Sequence, residues 1–369
     1  AAYGMWIRNN TKKKKMKVVV GRDARISGTI VSSLVNSTLL SLGIDVVDLG
    51  LSTTPTVEIA VTDENADGGI IVTASHNPKQ WNALKLLNAK GEFVSDADGK
   101  EILHFTLDDS YYFSEVNALG TFKSDDSYFK KHIDKIIALP NVDVKTIRSK
   151  KFKVVIDCVN STGGIVLPKL LTALGVNEII ELHCTPDGDF SHNPEPLPEN
   201  LRDLSKAVIK NKAHLGIAVD PDVDRLALVC EDGEVFGEEY TLVAVADYVL
   251  SRRKPADKAN KKSATVSNLS STQALRDITR NHHGAYYASA VGEVNVVEMM
   301  KKTNAIIGGE GNGGVIIPEL HYGRDALGAI ALFLSHLACF GKTASMLRAT
   351  YPDYFISKNK IELTPEMSV

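Results

Sequence analysis

Cysteine is scarce in this sequence. Only Cys158, Cys184, Cys230 and Cys339 occur among 369 residues, and no two of them have Cys-x-x-Cys spacing. This scarcity excludes a disulfide framework and the common zinc and redox motifs. We therefore expect four reduced core thiols and a cytoplasmic protein.

An excess of basic charge and long apolar runs are also missing. The 42 Lys and Arg residues stand against 45 Asp and Glu residues. Nucleic-acid-binding proteins usually carry a basic excess, so we expect no nucleic-acid partner. No apolar stretch approaches the roughly 18–20 residues that span a bilayer, so we expect no membrane span. Residues 1–6 lack the layout of a signal peptide.

Short apolar runs alternate with segments of helical spacing along most of the chain. This alternation is typical of α/β layers around mostly parallel sheets. The predicted strands are 17–20, 44–49, 69–72, 152–157, 176–182, 215–220, 226–230, 264–266 and 305–307. The predicted helices are 30–42, 165–174, 240–250, 272–281 and 326–340, with a polar linker over 251–262.

The cycle of strands and helices restarts at intervals of about 100 residues, a common domain size. We expect three successive, similar α/β units with mixed, mostly parallel sheets, over residues 1–148, 149–235 and 236–350. Residues 351–369 are too few for a domain, so we expect a connector and the truncated start of a fourth, with Ile361–Leu363 as its first strand. A fourth unit of roughly 80–100 residues is then expected beyond Val369 in the natural protein.

The first candidate site is the segment TASHNP at residues 73–78, which follows the predicted strand 69–72. Ser75 therefore lies at the carboxyl end of a strand, the edge where open α/β sheets bind ligands. In an extended segment the side chains of Ser75 and His76 point to opposite faces, so we expect no Ser–His dyad. The alternative is a polar turn that Pro78 ends.

The second candidate is DPDVDR at residues 220–225, directly after the predicted strand 215–220. In a near-extended loop, Asp220, Asp222 and Asp224 converge on one side, and their mutual repulsion favours a hard cation such as Mg²⁺ or Ca²⁺. An EF-hand loop is the rival interpretation. It is disfavoured because Arg225 stands where that loop needs Gly and because strands flank the segment.

The third candidate is the glycine-rich segment GGEGNGG at residues 308–314. Its glycines let the backbone approach a ligand, so Glu310 and Asn312 could hydrogen-bond sugar hydroxyls. It lacks the Lys-Ser/Thr pair of a P-loop, and a flexible turn is the alternative.

The fourth candidate is GRDAR at residues 21–25. Arg22 and Arg25 suit recognition of a phosphate group, although an ion pair with Asp23 would be the simpler role.

Together these segments resemble the α-D-phosphohexomutase family, which includes phosphoglucomutase/phosphomannomutase and phosphoglucosamine mutase. The matching segments span nearly the whole chain in order: GRDAR at 21–25, TASHNP at 73–78, DPDVDR at 220–225, GEGNGG at 309–314 and GRDAL at 323–327.

The resemblance implies that Ser75 is phosphorylated and that its phosphate, with Asp220, Asp222 and Asp224, holds Mg²⁺. It places Arg22, His76 and Lys85 around phosphoryl and proton transfer, Glu310 and Asn312 in the sugar-binding loop, and Arg225 with the metal loop and the substrate. The implied reaction moves a phosphoryl group between the 1- and 6-positions of a hexose phosphate through a bound bisphosphate. A general base at Lys85 would need a lowered pKa, which nearby arginines could supply.

The sequence departs from the family pattern in several places. Asn312 stands where a Ser is usual, no His follows it, and Ala83 replaces a usual Gly. The amino-terminal Gly-Thr-x-Gly-x-Arg segment and the Arg-x-Ser-Gly-Thr loop of the fourth domain are not in this chain. We expect a hexose phosphate substrate and a monomer or homodimer. A sugar-phosphate phosphatase using the same serine, or a non-catalytic phosphosugar-binding protein, are the alternatives.

Overall fold

The computed structural model describes residues 1–107, 111–253 and 263–356. These residues form three α/β units, each with its own sheet of four or five strands. The expectation of three successive units with mixed, mostly parallel sheets is therefore confirmed. The predicted strand Ile361–Leu363 and most of the predicted linker lie outside the described residues, and 351–356 forms no helix or strand.

The first unit contains five strands, four of them parallel. Its strands are β1 Met16–Arg22, β2 Ile44–Leu51, β3 Gly68–Val72, β4 Leu84–Leu87 and β5 Phe122–Ser124. Its helices are α1 Ala2–Asn10, α2 Gly28–Ser41, α3 Thr54–Asp63 and α4 Asp96–Leu107. The sheet order is β4-β3-β1-β2-β5, and β4 runs antiparallel to β3.

The second unit follows the helices α5 Tyr128–Ile137 and α6 Val144–Ser149. Its elements are β6 Lys153–Asp157, α7 Gly163–Leu174, β7 Glu178–Leu182, α8 Arg202–Asn211, β8 Leu215–Val219 and β9 Leu226–Cys230. The third unit comprises α9 Glu238–Ser251, β10 Ala264–Asn268, α10 Ala274–Asn281, β11 Ala285–Ser289, α11 Glu293–Thr303, β12 Ala305–Gly309, β13 Val315–Ile316, α12 Ala326–Phe340 and α13 Ala344–Arg348.

The three sheets share one topology. In each, the first strand is central, the second pairs on one side, the third pairs on the other, and an antiparallel fourth strand follows the third: β4-β3-β1-β2, β9-β8-β6-β7 and β13-β12-β10-β11. The connection from third to fourth strand leaves the carboxyl edge of the parallel strands in every unit. These connections carry the serine, acidic and glycine-rich segments, so each segment lies at the carboxyl edge of its own sheet, where open α/β sheets bind ligands.

The second and third units share one hydrophobic core. Helices α9 and α12 are apolar on nearly every face and are buried on nearly every face. Phe236 and Phe333 meet edge to face there, with ring centroids 5.1 Å apart. Asp325 begins α12, because its side chain accepts hydrogen bonds from the Leu327 and Gly328 amides. This shared core fixes the acidic segment relative to the third unit.

The sequence patterns located most strands to within two residues but missed several helices. Helix α3 was not predicted, because its first turn, Thr54-Pro55-Thr56, contains residues of low helix propensity. Thr53 nevertheless caps it by accepting a hydrogen bond from the Thr56 amide, and Pro lies in the first turn.

Candidate active site

The serine loop, residues 73–83, joins β3 to β4 and holds Ser75 in a left-handed conformation with φ of +49°. The loop is therefore not extended. Ser75 Oγ lies 3.3 Å from His76 Nδ1, and it donates a hydrogen bond of 3.0 Å to Asp220 Oδ2. The prediction that these neighbouring Ser and His side chains point apart is wrong, because positive φ turns both toward the same side.

Arg25 organises the serine loop from inside. Its side chain is 1% exposed and pairs with Asp23 at 3.0 Å. The guanidinium donates to the backbone carbonyls of Ser75, Asn77, Pro78 and Trp81 at 2.5–2.8 Å. The prediction that Arg25 binds phosphate is therefore wrong for this structure, because its donors are already used within the protein.

Arg22 and His76 remain at the mouth of the site. Arg22 ends β1 beside Val72, at the same sheet edge as the serine loop, and one of its side-chain nitrogens donates to the Asp23 carbonyl at 3.1 Å. His76 Nε2 lies 3.9 Å from Glu195. Burial, and then the charge of Arg225, lower the pKa of His76, so its neutral form is favoured.

The metal loop, residues 220–225, brings three buried carboxylates together between β8 and β9. Oxygens of Asp220, Asp222 and Asp224 lie within 4.8 Å of one another. The convergence was predicted, but the loop is a turn and is not near-extended. Val223 has a φ of +62°, which is strained for a β-branched residue, and Asp220 Oδ1 accepts from the backbone amides of Asp224 and Arg225.

Lys85 crosses from β4 into this acidic cluster. Its Nζ donates to Asp222 Oδ2 at 2.6 Å and to Asp224 Oδ2 at 2.9 Å. Burial acts to lower the pKa of Lys85, but the charges of these two carboxylates outweigh it and hold the pKa above its ordinary value. Arg324 also acts to lower the pKa of Lys85, as the sequence analysis expected of a nearby arginine, but it does not outweigh the two carboxylates, so the expected lowered pKa is wrong for this arrangement.

The sugar loop, residues 310–314, joins β12 to β13 and carries Glu310 and Asn312. Glu310 Oε1 accepts from Asn268 at 2.8 Å and from the Gly292 amide at 3.2 Å, and Oε2 accepts from Arg324 at 2.8 Å. Asn312 Nδ2 lies at the limit of hydrogen bonding to Glu310, at 3.5 Å. The loop therefore presents one well-anchored carboxylate and one weakly held amide.

Comparison with known proteins gives the same three-unit division. Residues 1–112, 130–233 and 238–354 match the family descriptions "Phosphoglucomutase/phosphomannomutase, alpha/beta/alpha domain" I, II and III, respectively. A phosphoglucomutase/phosphomannomutase from Thermococcus kodakarensis is 33% identical over 361 residues, covering 97% of this chain and 76% of that protein. The chain belongs to the phosphoglucomutase/phosphomannomutase family.

Two further relatives agree with this placement. A phosphoglucosamine/phosphogalactosamine mutase from Sulfurisphaera tokodaii is 32% identical over 360 residues, covering 96% of this chain and 77% of that protein. The crystal structure of a family protein from Burkholderia thailandensis superposes with a TM-score of 0.82 at 27% identity, covering 95% of this chain and 74% of that one. The chain is thus related to isomerases that transfer phosphoryl groups within a sugar phosphate.

The acidic triad fits a divalent cation. Asp222 Oδ1 and Asp224 Oδ1 are buried and accept no hydrogen bond. Burial, and then the charges of Asp224 and Asp222, raise the pKa of Asp220 well above its ordinary value. An all-oxygen set with unused, buried lone pairs and excess negative charge is the environment that a hard cation stabilises.

Residues that the sequence analysis did not assign complete the site. Arg324 binds Asp224, Glu293 and Glu310. Beneath it, His321 lies 3.1 Å from Glu58 and 3.2 Å from Asp325. The segment GRDAL, residues 323–327, matched a family segment and was the one available signal for Arg324. No sequence signal identified Glu58 or Glu293, because each is a single acidic residue in an ordinary helical segment.

Proposed function

We propose that this protein is a Mg²⁺-dependent phosphohexomutase. It would move a phosphoryl group between the 1- and 6-positions of a hexose or hexosamine phosphate, through a phosphoserine at Ser75 and a bound 1,6-bisphosphate. The observation that carries this proposal is the hydroxyl of Ser75 at 3.0 Å from Asp220, at the edge of a carboxylate triad with two unpartnered buried oxygens.

Asp220, Asp222 and Asp224, with a phosphate oxygen on Ser75, would hold Mg²⁺. When bound, Mg²⁺ supplies positive charge that offsets the negative charge on the transferring group. Arg225 is placed to help in the same way. Its Nε is buried without a hydrogen-bond partner within the described part of the chain, where Arg225 forms an ion pair with Glu195 at 3.6 Å.

We assign proton transfer to two side chains. When Ser75 releases its phosphoryl group, Oγ needs a proton, and His76 Nδ1 is 3.3 Å from it. Burial and Arg225 favour the neutral ring in the unliganded protein, so His76 would donate this proton only after the negative charge of the phosphorylated serine has favoured its protonated form. The hydroxyl of the sugar must lose a proton in the same step. Lys85 could accept it only once the charges of Asp222 and Asp224 are neutralised by a bound cation, because those charges keep Lys85 protonated.

The sugar would lie between the metal loop and the sugar loop. Glu310 would accept hydrogen bonds from sugar hydroxyls in place of the 3.5 Å contact from Asn312, which would release the amide to bind the sugar as well. Arg22 would contact a phosphate group. The relatives named above act on glucose, mannose, glucosamine and galactosamine phosphates by name, which supports the broad substrate class.

The test is an assay that separates isomerisation from hydrolysis. Purified enzyme, charged with a trace of glucose 1,6-bisphosphate, is given glucose 1-phosphate and glucosamine 1-phosphate with Mg²⁺. The 6-phosphate and inorganic phosphate are both measured. We expect 6-phosphate in large excess, whereas phosphate release in its place would indicate a phosphatase and neither product would indicate a binding protein.

The Ser75→Ala variant tests the covalent step. Ser75 lies in a loop, so we expect a folded protein with less than about a thousandth of the activity, because no nucleophile remains. The matched control is Ser33→Ala, which removes an exposed helical serine whose hydroxyl donates to the Thr29 carbonyl of the same helix. Substantial mutase activity in Ser75→Ala would contradict the phosphoserine.

The division at residues 148, 235 and 350 and a cytoplasmic location are also proposals. The four cysteines are unpaired in the structure, which supports a reducing compartment. Cys158 and Cys230 are buried and Cys184 is half-buried, but Cys339 is exposed, so the prediction of a core thiol is wrong for Cys339. Among the described residues, no helix is both long and apolar enough to cross a bilayer.

A further inference from the structure

Arg324 connects two loops of the active site through one planar group. Its Nε donates to Glu293, one terminal nitrogen donates to Glu310, and the other donates to Asp224, each at 2.8 Å. Arg324 is 8% exposed, so these bonds are shielded from water. Three carboxylates thus share a single buried cation.

The three carboxylates come from different parts of the fold. Asp224 belongs to the metal loop, Glu310 to the sugar loop, and Glu293 to the first turn of α11. Arg324 itself lies beside β13, forming a bridge with Ile316. The packing is tight, because a Cβ on Gly314 would lie 2.2 Å from Arg324 Cδ. Arg324 therefore has little room to move without moving the sugar loop.

The bond to Arg324 also orients Asp224. Its Oδ2 accepts from Arg324 and from Lys85, whereas its Oδ1 is buried and accepts nothing. Rotation of the carboxylate would break both bonds. These two bonds therefore fix the orientation of a carboxylate that belongs to the acidic triad, and they leave its second oxygen without a hydrogen-bond partner.

We propose that Arg324 is a positioning residue that couples the sugar loop to the metal loop, so that a change at Glu310 alters Mg²⁺ affinity before any substrate is bound. The inference rests on the proposed function for its substrate, but the coupling itself is a property of the unliganded protein. When Glu310 loses its charge, Arg324 is less neutralised and binds Asp224 more strongly. Asp224 then becomes a weaker metal ligand.

A double-mutant cycle on Mg²⁺ binding tests this coupling. Mg²⁺ is titrated calorimetrically into wild type, Glu310→Gln, Arg324→Lys and the double variant, all with Ser75 unphosphorylated and without sugar. We expect Glu310→Gln to weaken Mg²⁺ binding about five- to tenfold in the wild-type background, within the usual range for coupled sites. In the Arg324→Lys background the same change should have less than about a twofold effect, because an ammonium group cannot hold three carboxylates in one plane.

Two controls separate coupling from general charge and from misfolding. Glu298→Gln removes a similar charge from an exposed position on α11, and Arg276→Lys conserves charge at a surface ion pair; both should leave Mg²⁺ affinity within twofold. Glu310→Gln leaves Arg324 in place, so unchanged Mg²⁺ affinity in that single variant would overturn the coupling even if Arg324→Lys fails to fold.

The outcomes are distinct for the two proposals. Unchanged Mg²⁺ affinity in Glu310→Gln, or an equal loss in both backgrounds, would overturn the coupling. If the double-mutant cycle shows the expected coupling but the protein isomerises no hexose phosphate, only the proposed function is overturned. Wild type that binds no Mg²⁺ would overturn both. In active protein, Arg324→Lys should also raise KM for the sugar phosphate, a change that Arg276→Lys should not produce.

Discussion

Arg25 provides the sharpest test of how the serine loop is held. Five side-chain hydrogen bonds leave its guanidinium: one to Asp23 and four to the carbonyls of Ser75, Asn77, Pro78 and Trp81. The proposed change is Arg25→Lys, which keeps the charge but has at most three N–H donors. At least two of the five bonds must be lost.

The magnitude follows from those bonds. Each buried hydrogen bond to a charged group contributes about 1.5–3 kcal/mol, so losing two should cost about 3–6 kcal/mol. Most globular proteins are stable by only about 5–15 kcal/mol. The four carbonyl acceptors all lie between residues 75 and 81, so the least costly response is for this loop to open into water while the sheet stays folded. The mutase activity should then fall by a larger factor than the equilibrium constant for folding.

Three measurements check this expectation. We expect the mutase kcat/KM to fall by at least about a hundredfold, because misplacing a reacting group by about 1 Å has that effect. The free energy of unfolding measured in urea should fall by less than the estimated loss of about 3–6 kcal/mol. Amide hydrogen exchange should become faster within residues 73–83. Arg276→Lys, at an ion pair of 3.4 Å that is partly exposed, is the control. Normal activity with stability within 1 kcal/mol of wild type would refute the assigned role.

Three other substitutions test the remaining parts of the site. Asp222→Asn should weaken Mg²⁺ binding at least about tenfold, because one of three anionic ligands is lost; a calorimetric titration with unchanged affinity would contradict the triad as the metal site. Asn312→Ala should raise KM for hexose phosphates and leave Mg²⁺ affinity and phosphorylation of Ser75 by the bisphosphate unchanged, as mass spectrometry would show. Burial acts to lower the pKa of His321, but Asp325 and Glu58 outweigh it and raise the pKa to about 10. Because this pKa is raised on folding, its contribution is complete below about pH 6.5 and is lost as the pH rises toward 10. His321→Gln should therefore lower Tm most below pH 6.5 and least near pH 10, and a pH-independent difference would contradict the paired imidazolium.

The sequence alone determined the three-unit α/β architecture and the segments in which we propose that the chemistry takes place. Alternating apolar runs are local in sequence, and they placed Ser75, the acidic segment and Glu310 after strands, at the edge where open α/β sheets bind ligands. The D-x-D-x-D spacing was enough to bring three carboxylates together, because side chains two positions apart in a short loop lie close to one another. The family resemblance rested on these same local segments.

Tertiary structure decided which of these side chains are free to act. Arg22 and Arg25 are three residues apart, and the sequence suggested both equally for phosphate binding. Only Arg25 points inward, where its guanidinium donors bind backbone carbonyls of residues 75–81. The contact between Ser75 and His76 depends on one backbone angle that no local pattern specified.

Long-range charge pairs were equally hidden in the sequence. Lys85 and Asp222 are 137 positions apart, and Arg324 and Asp224 are 100 apart. A pKa sums the burial and charges around a group, and those charges come from elements that only folding brings together. The sequence could therefore name the loops of this site, but only the packing of three units against one another sets which groups carry protons and which carboxylates remain open to a cation.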